Sequence, residues 1–312
     1  CSSDLIPAMK EDGYSPEYAA AVTTASSIIG PIIPPSIIMV IYSSVTGESV
    51  GALFMAGFIP GLVIALSLMV LAYYYAIRRG HPKRVEKITV KEALPIIGRS
   101  MVALLVPIII IGGILSGVFT PTEAAAVACI YAFAVGFLFY RTLTWPAVLA
   151  SLKNAGIVAA TILVIISTSQ LFSMVLTLER IPEAVANAMI ALTENKIIFL
   201  LLMNVLLLFA GMILEISASV IMLTPILLPL AIAYGVHPLH FALIMLVNLN
   251  IGLTTPPVGV CLFTAVPIAK TPIEKIVPKV MPFVIAEIVG LLLLTYIPDL
   301  VLFLPRWAGY IN

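Results

Sequence analysis

Six long apolar stretches alternate with short polar segments along the chain. They cover residues 52–77, 101–117, 124–140, 154–176, 197–214 and 279–304. At about 1.5 Å of rise per residue, helices of this length cross a hydrocarbon layer of about 30 Å. The stretches lack the strict alternation of barrel strands, and a helix satisfies its own backbone hydrogen bonds in lipid. The pattern therefore predicts an all-α polytopic membrane protein.

The composition agrees with this class and argues against several others. Hydrophobic residues make up 62% of the chain and charged residues 10%, against about 25% charged residues in a soluble domain. The net charge of +1 gives no sign of a nucleic-acid partner, so the expected surroundings are the lipid bilayer. The three cysteines, Cys1, Cys129 and Cys261, have no metal-ligand spacing. Without a His or Cys cluster or paired intramembrane acids, we do not expect an enzyme.

The chain resembles itself at an offset of 222 residues, which indicates an internal structural repeat. Without a gap, seven positions fall on the same residue type: Pro7, Gly13, Pro16, Gly30, Pro34, Pro35 and Pro60 on Pro229, Gly235, Pro238, Gly252, Pro256, Pro257 and Pro282. In each copy a Gly-x-x-x-Pro-Pro stretch interrupts an apolar helix, within 26–36 and within 248–258, because proline cannot continue a helix. Paired interruptions of this kind point to the binding site of a secondary transporter. A proline kink used only for packing is the alternative.

The basic residues predict the orientation of the segments. The loop from Arg78 to Arg99 carries the densest positive charge and is expected on the cytoplasmic side. Following the chain from there, 197–234 enters and leaves from the outer face as a re-entrant hairpin with its turn at 214–219, and the C-terminus lies outside. The broken helices 16–45 and 238–268 then run in opposite directions. We therefore expect inverted repeats related by an axis in the membrane plane.

The same offset predicts how the chain is divided. It aligns residues 1–9 with the returning arm of the second hairpin, so we expect a fragment whose first hairpin tip precedes residue 1. The expected regions are 1–45 (end of the first hairpin and first broken helix), 46–196 (scaffold, connecting and arm helices), 197–268 (second hairpin and second broken helix) and 269–312 (C-terminal scaffold helix).

Three shorter segments have structural interpretations. Thr120-Pro121-Thr122-Glu123 is typical of a capping box that opens a helix over 121–140. Segments 144–156 and 179–196 are amphipathic and too polar to span, so we expect interfacial helices that act as arms.

Four stretches resemble the large membrane subunit of tripartite ATP-independent periplasmic (TRAP) transporters. They are "SSIIGPIIPPSIIMVIYSSVTGESVGALFMAGFIPG", "GVFTPTEAAAVA", "GMILEISASVIMLTPILLP" and "NLNIGLTTPPVGVCLF". The resemblance runs from about residue 5 to Pro305 in the family's order. It implies a sodium-driven, elevator-type importer in the bacterial inner membrane, where the C-terminus predicted outside from the basic residues would be periplasmic. It also implies a small membrane subunit, separate or fused, and a periplasmic substrate-binding protein that delivers an organic acid such as a sialic acid or a C4-dicarboxylate.

The resemblance also implies site residues, with Na⁺ as the coupling ion and no organic cofactor. Each of two sodium sites pairs a hairpin with the broken helix that follows it. The first sodium site would consist of Ser26, Gly30, Ile33 and Pro34. The second sodium site would consist of Gly211, Gly252, Thr255 and Ala265. The substrate would contact Ser217, Ser219, Asn248 and Thr254.

Two alternatives stay open at this point. Each serine or threonine hydroxyl could instead bond back to its own helix. The permease could also be an autonomous sodium–carboxylate symporter that needs no binding protein.

Glu215, at the second hairpin tip, is the one acid interpreted as buried, and intramembrane acids are functional candidates.

Overall fold

Helices supply all the regular secondary structure of residues 2–79, 90–180, 184, 193, 195–257 and 259–311, the part of the chain that the computed structural model describes. This confirms the all-α prediction for these residues. In chain order the helices are α1 (Ser2–Glu11), α2 (Pro16–Ser26), α3 (Ile29–Ile32), α4 (Ile37–Thr46), α5 (Val50–Arg79), α6 (Val90–Leu115), α7 (Pro121–Ala134), α8 (Trp145–Leu178), α9 (Lys196–Ile213), α10 (Ile216–Ala233), α11 (Pro238–Thr254), α12 (Val260–Ala269), α13 (Ile273–Tyr296) and α14 (Asp299–Trp307). A π-helical turn, Val135–Phe139, continues α7.

Six helical segments within the described ranges are long and apolar enough to cross a membrane. They are Val50–Arg78, Pro121–Phe139, Trp145–Thr168, Lys196–Ile213, Ile216–Ala233 and Ile273–Tyr296. A seventh candidate span consists of Pro16–Ile32 and Ile37–Thr46, which meet at a bend of 43°. This bend lies where the sequence predicts the first broken helix.

The repeat seen in the sequence is also a repeat of backbone structure. At the offset of 222 residues, α1 ends where α10 ends, α2 begins where α11 begins, and α3 ends where α11 ends. The next residue is extended in both copies, with φ −82° and ψ 129° at Ile33 and φ −107° and ψ 133° at Thr255. The chain therefore leaves the helix at equivalent positions in the two copies.

Equivalent residues also begin the two broken helices. The Ser15 hydroxyl accepts from the Tyr18 N–H at 3.3 Å, and His237 Nδ1 accepts from the Leu239 N–H at 3.2 Å. Only a neutral imidazole can accept at Nδ1. Burial, opposed by Glu48 and assisted by Arg306, holds the pKa of His237 below its ordinary value, in keeping with this cap.

Helices α9 and α10 form the predicted hairpin. Its tip is short: α9 ends at Ile213 and α10 begins at Ile216. At the open end, the rings of Phe199 and Tyr234 stack with centroids 3.9 Å apart, and Lys196 Nζ donates to the Gly235 carbonyl at 2.7 Å. The chain thus enters and leaves the hairpin at the same end, and the turn predicted within 214–219 is confirmed.

Two predictions about the spanning helices are wrong. Residues 144–156 do not form a separate interfacial helix, because α8 runs without a break from Trp145 to Leu178. Lys153 is the one charged residue in its candidate span, and a long lysine stem can carry its charge out of an apolar layer. The stretch 279–304 is also not continuous: α13 ends at Tyr296, and Pro298 precedes the separate helix α14.

The capping box is confirmed, and other predicted segments fall outside the described residues. The Thr120 hydroxyl accepts from the Glu123 N–H at 3.3 Å, and the Glu123 carboxylate accepts from the Thr120 N–H at 2.8 Å. The centre of the basic loop and most of the segment 179–196 lie outside the described residues.

The chain divides into two compact units. One comprises Cys1–Lys83 and Leu171–Asn312, and the other Arg84–Gln170. The second contains α6 and α7, joined by a hydrogen bond of 2.8 Å from the Tyr131 hydroxyl to the Val102 carbonyl. The first contains both broken helices together with α5 and α13, which the sequence prediction assigned to a scaffold. Within this unit α5 and α13 pack on each other and on the broken helices.

Candidate binding site at the two helix breaks

The second break begins at Thr255 and ends at Gly259. Pro256 and Pro257, joined by a cis peptide bond, have no N–H, so the Gly252 and Leu253 carbonyls lose their helical donors. The Gly252 carbonyl instead accepts from the Thr255 N–H at 3.0 Å. Gly252 therefore lies in the last turn of α11, and the unwinding starts at Thr255, within the predicted Gly-x-x-x-Pro-Pro stretch.

The first break runs from Ile33 to Ser36, with a cis bond between Pro34 and Pro35. Ser36 closes it: its hydroxyl donates to the Pro31 carbonyl at 2.6 Å and accepts from the Met39 N–H at 3.4 Å, capping α4. Gly30 likewise lies in the short helix α3, before the unwound residues.

Two glycines of α5 allow the first break to pack closely. A Cβ atom at Gly57 would lie 2.6 Å from the Ile32 carbonyl oxygen, and one at Gly61 would lie 2.3 Å from Ile33 Cγ1. Real Cβ atoms do not come so close to other atoms. Because the neighbour of Gly57 is a backbone carbonyl, which cannot rotate away as a side chain can, only glycine fits at this position. Sequence reasoning missed this pair, although small residues four apart are typical of close contacts between membrane helices.

Gly211 and Gly252, both predicted for the second sodium site, lie against each other. A Cβ atom at Gly252 would lie 2.4 Å from the Gly211 carbonyl carbon and 2.7 Å from the Met212 nitrogen. A Cβ atom at Gly211 would lie 2.8 Å from the Leu249 Cα atom. The backbones of α9 and α11 therefore touch beside the second break, as a close approach through glycine requires.

The hairpin tip is organised by Glu215, which caps α10. Its carboxylate accepts from the Ala218 N–H and from the Ser217 hydroxyl, both at 3.0 Å. The Ser219 hydroxyl donates to the Glu215 carbonyl at 2.9 Å, which is a bond back to its own helix. Glu215 itself is exposed, so the interpretation of this residue as the buried acid is wrong.

Asn248, predicted to contact substrate, lies in a buried polar network. Its Nδ2 donates to Asn204 Oδ1 at 2.6 Å and to the Ile244 carbonyl at 2.8 Å. Asn204 Nδ2 donates in turn to the Thr295 hydroxyl at 3.1 Å. The network thus joins α11, α9 and α13, and Asn204 and Thr295 are members that sequence reasoning missed.

The two threonines at the end of α11 differ in their contacts. The Thr255 hydroxyl donates to the Ile251 carbonyl at 2.8 Å, a bond within its own helix. The Thr254 hydroxyl makes a similar bond at 2.9 Å and also lies 3.4 Å from Glu287 Oε2. Ala265, predicted for the same sodium site, is buried within α12.

The predicted residues of the first site are more open. Ser26 is half-buried, and its hydroxyl donates to the Thr23 carbonyl at 3.2 Å. Gly30 is exposed, and no atom lies within 4 Å of a Cβ built there. The structure thus brings Gly211 into contact with Gly252, two residues predicted for the second sodium site. Among the predicted substrate residues, the described contacts join neither Ser217 nor Ser219 to Asn248 or Thr254.

Glu287 is the acid that sequence reasoning missed. It lies in the middle of α13 and is 0% exposed. A signal was available, because Glu287 is the one charged residue between Met281 and Asp299. An ionisable residue in the middle of a spanning helix is a functional candidate.

Comparison with known proteins assigns the family. The family model "Tripartite ATP-independent periplasmic transporter, DctM component" matches residues 1–300. The isethionate TRAP transporter permease protein DctMQ of Oleidesulfovibrio alaskensis is 41% identical over 298 residues, which are 96% of this chain and 47% of that protein. The chain therefore spans about half the length of this relative.

Two further relatives are covered more fully. The C4-dicarboxylate TRAP transporter large permease protein DctM of Pseudomonas aeruginosa is 38% identical over 307 residues, 98% of this chain and 72% of that protein. The sialic acid TRAP transporter large permease protein SiaM of Vibrio cholerae is 37% identical over 306 residues, which are 98% of this chain and 71% of that protein. With the match of residues 1–300 to the family model, this shows that the chain, a multi-pass membrane protein, belongs to the DctM family of TRAP transporter permeases.

Proposed function

We propose that this chain is the large permease component of a sodium-driven importer of organic acids in the bacterial cytoplasmic membrane. The observation that carries the proposal is the pair of equivalent Pro-Pro breaks, at Ile33–Ser36 and Thr255–Gly259, in a chain of this family. The named relatives carry isethionate, sialic acid or C4-dicarboxylates, which are all organic acids. The proposed partners are a small membrane subunit, separate or fused, and a periplasmic substrate-binding protein.

The chemistry of a broken helix suits both an anion and a coupling cation. At a helix end the last carbonyls lack the usual donors four residues later, and the first N–H groups lack the usual acceptors four residues earlier. Carbonyl ends of half-helices attract Na⁺, and amide ends attract the carboxylate of a substrate. We assign one sodium site to Gly211, Gly252, Thr255 and Ala265 and another to Ser26, Gly30, Ile33 and Pro34. Bound sodium would order the hairpin and so favour the carboxylate, and by linkage each ligand strengthens binding of the other.

We propose that the two copies are inverted in the membrane and move together in an elevator mechanism, with the C-terminus periplasmic. The packing supports a larger moving unit than the sequence predicted. Because Gly57 of α5 contacts the Ile32 carbonyl and α13 bonds to α9 and α11, both α5 and α13 would travel with the broken helices.

For the substrate we retain Ser217 and Ser219 at the hairpin tip and Thr254 at the end of α11 as candidates. Asn248 stays a candidate whose amide is held by Asn204. Glu215 fixes the direction of Ser217, because its carboxylate accepts the serine hydroxyl.

The experiment is sodium-driven uptake by the complete permease in proteoliposomes, with its small subunit and candidate binding proteins. We expect Thr255→Val to raise the half-saturating sodium concentration about tenfold, which corresponds to about 1.4 kcal/mol of sodium affinity. Thr264→Val is the matched control, since its hydroxyl also bonds back to its own helix, to the Cys261 carbonyl at 2.8 Å. An unchanged sodium response in Thr255→Val would remove this residue from the site. Uptake without any binding protein would instead identify an autonomous sodium–carboxylate symporter.

A further inference from the structure

We propose that Glu287, Thr254 and Asn250 form a third cation site, separate from the two at the helix breaks, and that it binds one Na⁺. The proposal rests on the proposed function only for the role of this ion in coupling. The site lies between the end of α11 and the middle of α13.

The three side chains are buried, and two of them are in contact. Glu287 and Thr254 are 0% exposed and Asn250 is 1% exposed. Glu287 Oε2 lies 3.4 Å from the Thr254 hydroxyl oxygen. Asn250 and Thr254 are four residues apart on α11 and therefore share one face of that helix.

Their oxygens have lone pairs without donors. Glu287 Oε1 and Asn250 Oδ1 are both buried and have no hydrogen-bond partner. Thr254 has a single hydroxyl hydrogen, and its shorter bond, at 2.9 Å, goes to the Ile251 carbonyl. The same hydrogen is shared with Glu287 Oε2 at 3.4 Å, so the lone pairs of the Thr254 oxygen remain available to a cation. A cation between these oxygens would supply the contacts that Glu287 Oε1 and Asn250 Oδ1 lack.

No protein cation fills this position among the residues that the structure describes. Their one ion pair within 4.0 Å joins Arg306 to Asp299, outside this site. A buried carboxylate without a cation carries a large desolvation cost, since burial removes its hydration without replacing it. A sodium ion would neutralise Glu287 and also coordinate the threonine and amide oxygens. A proton would neutralise Glu287 but leave Asn250 Oδ1 without a partner.

The first copy of the repeat shows that the fold does not require these polar groups. At the offset of 222 residues, Asn250, Thr254 and Glu287 correspond to Ile28, Ile32 and Ala65. Ile28 and Ile32 are buried in the core. Since an apolar set occupies the equivalent backbone positions, packing alone does not explain three polar residues in the second copy. Ion binding does, because it needs all three oxygens at once.

The test counts bound sodium in the purified complete permease with its small subunit, using ²²Na⁺ at saturation with choline as the replacement cation. We expect Glu287→Gln and Thr254→Val each to bind a single ion fewer than the unmodified protein. Glu287→Asp should keep the ion at weaker affinity. Thr295→Val is the control, because it removes a buried hydroxyl from the same helix, and it should lower thermal stability without changing the count.

The outcomes separate this site from the proposed function. If Glu287→Gln and Thr254→Val both retain the full sodium count, the third site is overturned, whether or not the protein transports. If the count is unchanged in Glu287→Gln but uptake loses its pH dependence, Glu287 carries a proton and the sodium assignment is overturned. Loss of a single ion in a protein without sodium-driven uptake would support the site and contradict the proposed function.

Discussion

At the first helix break the chain leaves α3 after Ile32, beside Gly57 of α5, and nothing lies close to Gly30. At the second break it leaves α11 at the equivalent residue, Thr254, but Gly252 lies in backbone contact with Gly211. The two copies therefore unwind at the same place and are supported by different neighbours. The position of the break depends on prolines, which act locally, whereas its surroundings depend on tertiary contacts.

The chemistry also differs between the two copies. The second copy contains three buried polar residues, Asn250, Thr254 and Glu287, while isoleucines and an alanine occupy the same positions in the first copy. Pro31 adds a further difference, because it lacks the N–H that would bond to the Ser27 carbonyl. The first copy is therefore also interrupted between α2 and α3. The comparison shows that an equivalent backbone carries different side chains in its two copies.

The largest difference between the two copies is expected when alanine replaces each of the equivalent glycines, Gly30 and Gly252. Gly252→Ala should destabilise the protein by about 3 kcal/mol, because the new Cβ meets backbone atoms that cannot rotate away. Gly30→Ala should leave thermal stability unchanged, since its Cβ would meet nothing within 4 Å. Thermal unfolding of the two purified variants measures the difference. Equal losses of stability would contradict the packing described for the two copies.

A second comparison uses Asn248 and its counterpart Ser26. Asn248→Ala should lower the free energy of unfolding by about 1.5 kcal/mol, because it removes a bond to Asn204 inside the membrane helices. Ser26→Ala should cost about 0.5 kcal/mol or less, since Ser26 bonds only to the Thr23 carbonyl one turn earlier. The two melting temperatures should therefore fall in that order, and the reverse order would contradict the network.

The smallest expected effect concerns the start of the helix after each break. Ser36→Ala should cost about 1 kcal/mol, the usual value for loss of an N-cap hydroxyl, whereas Ser36→Gly should cost a few tenths. The second copy has no side-chain cap, because Gly259 stands at the start of α12 with φ +54°. Amide hydrogen exchange over 37–40 should be faster in Ser36→Ala, and unchanged exchange would show that the cap contributes nothing.

The sequence was informative where a residue acts on its own backbone. Prolines and glycines at the 222-residue offset predicted both breaks and the starts of the broken helices, because each effect is local. The continuous helix α8 was not predicted, because Gly156 and Lys153 suggest a helix boundary near residue 156. A single glycine or lysine disfavours a helix too weakly to end it, and α8 continues through both residues.

Side-chain partners were less predictable because they come from distant parts of the chain. The family resemblance implied that Asn248 contacts substrate, but its side chain donates to Asn204, 44 residues away. Glu287 was visible as an isolated acid, but its contact with Thr254 spans 33 residues. Gly57 and Gly61 have a recognisable spacing, although only the structure gives them Ile32 and Ile33 as neighbours.

The network of Asn204, Asn248 and Thr295 has a consequence for how the second hairpin can open. Its hydrogen bonds tie one arm, α9, to α11 and α13, and the Gly211–Gly252 contact adds a steric lock between the same arm and α11. Separating these helices would expose amide groups to hydrocarbon, which offers no replacement partners. In the proposed transporter, opening of the hairpin would therefore require less disruption if α10 moved while α9 stayed packed on α11 and α13.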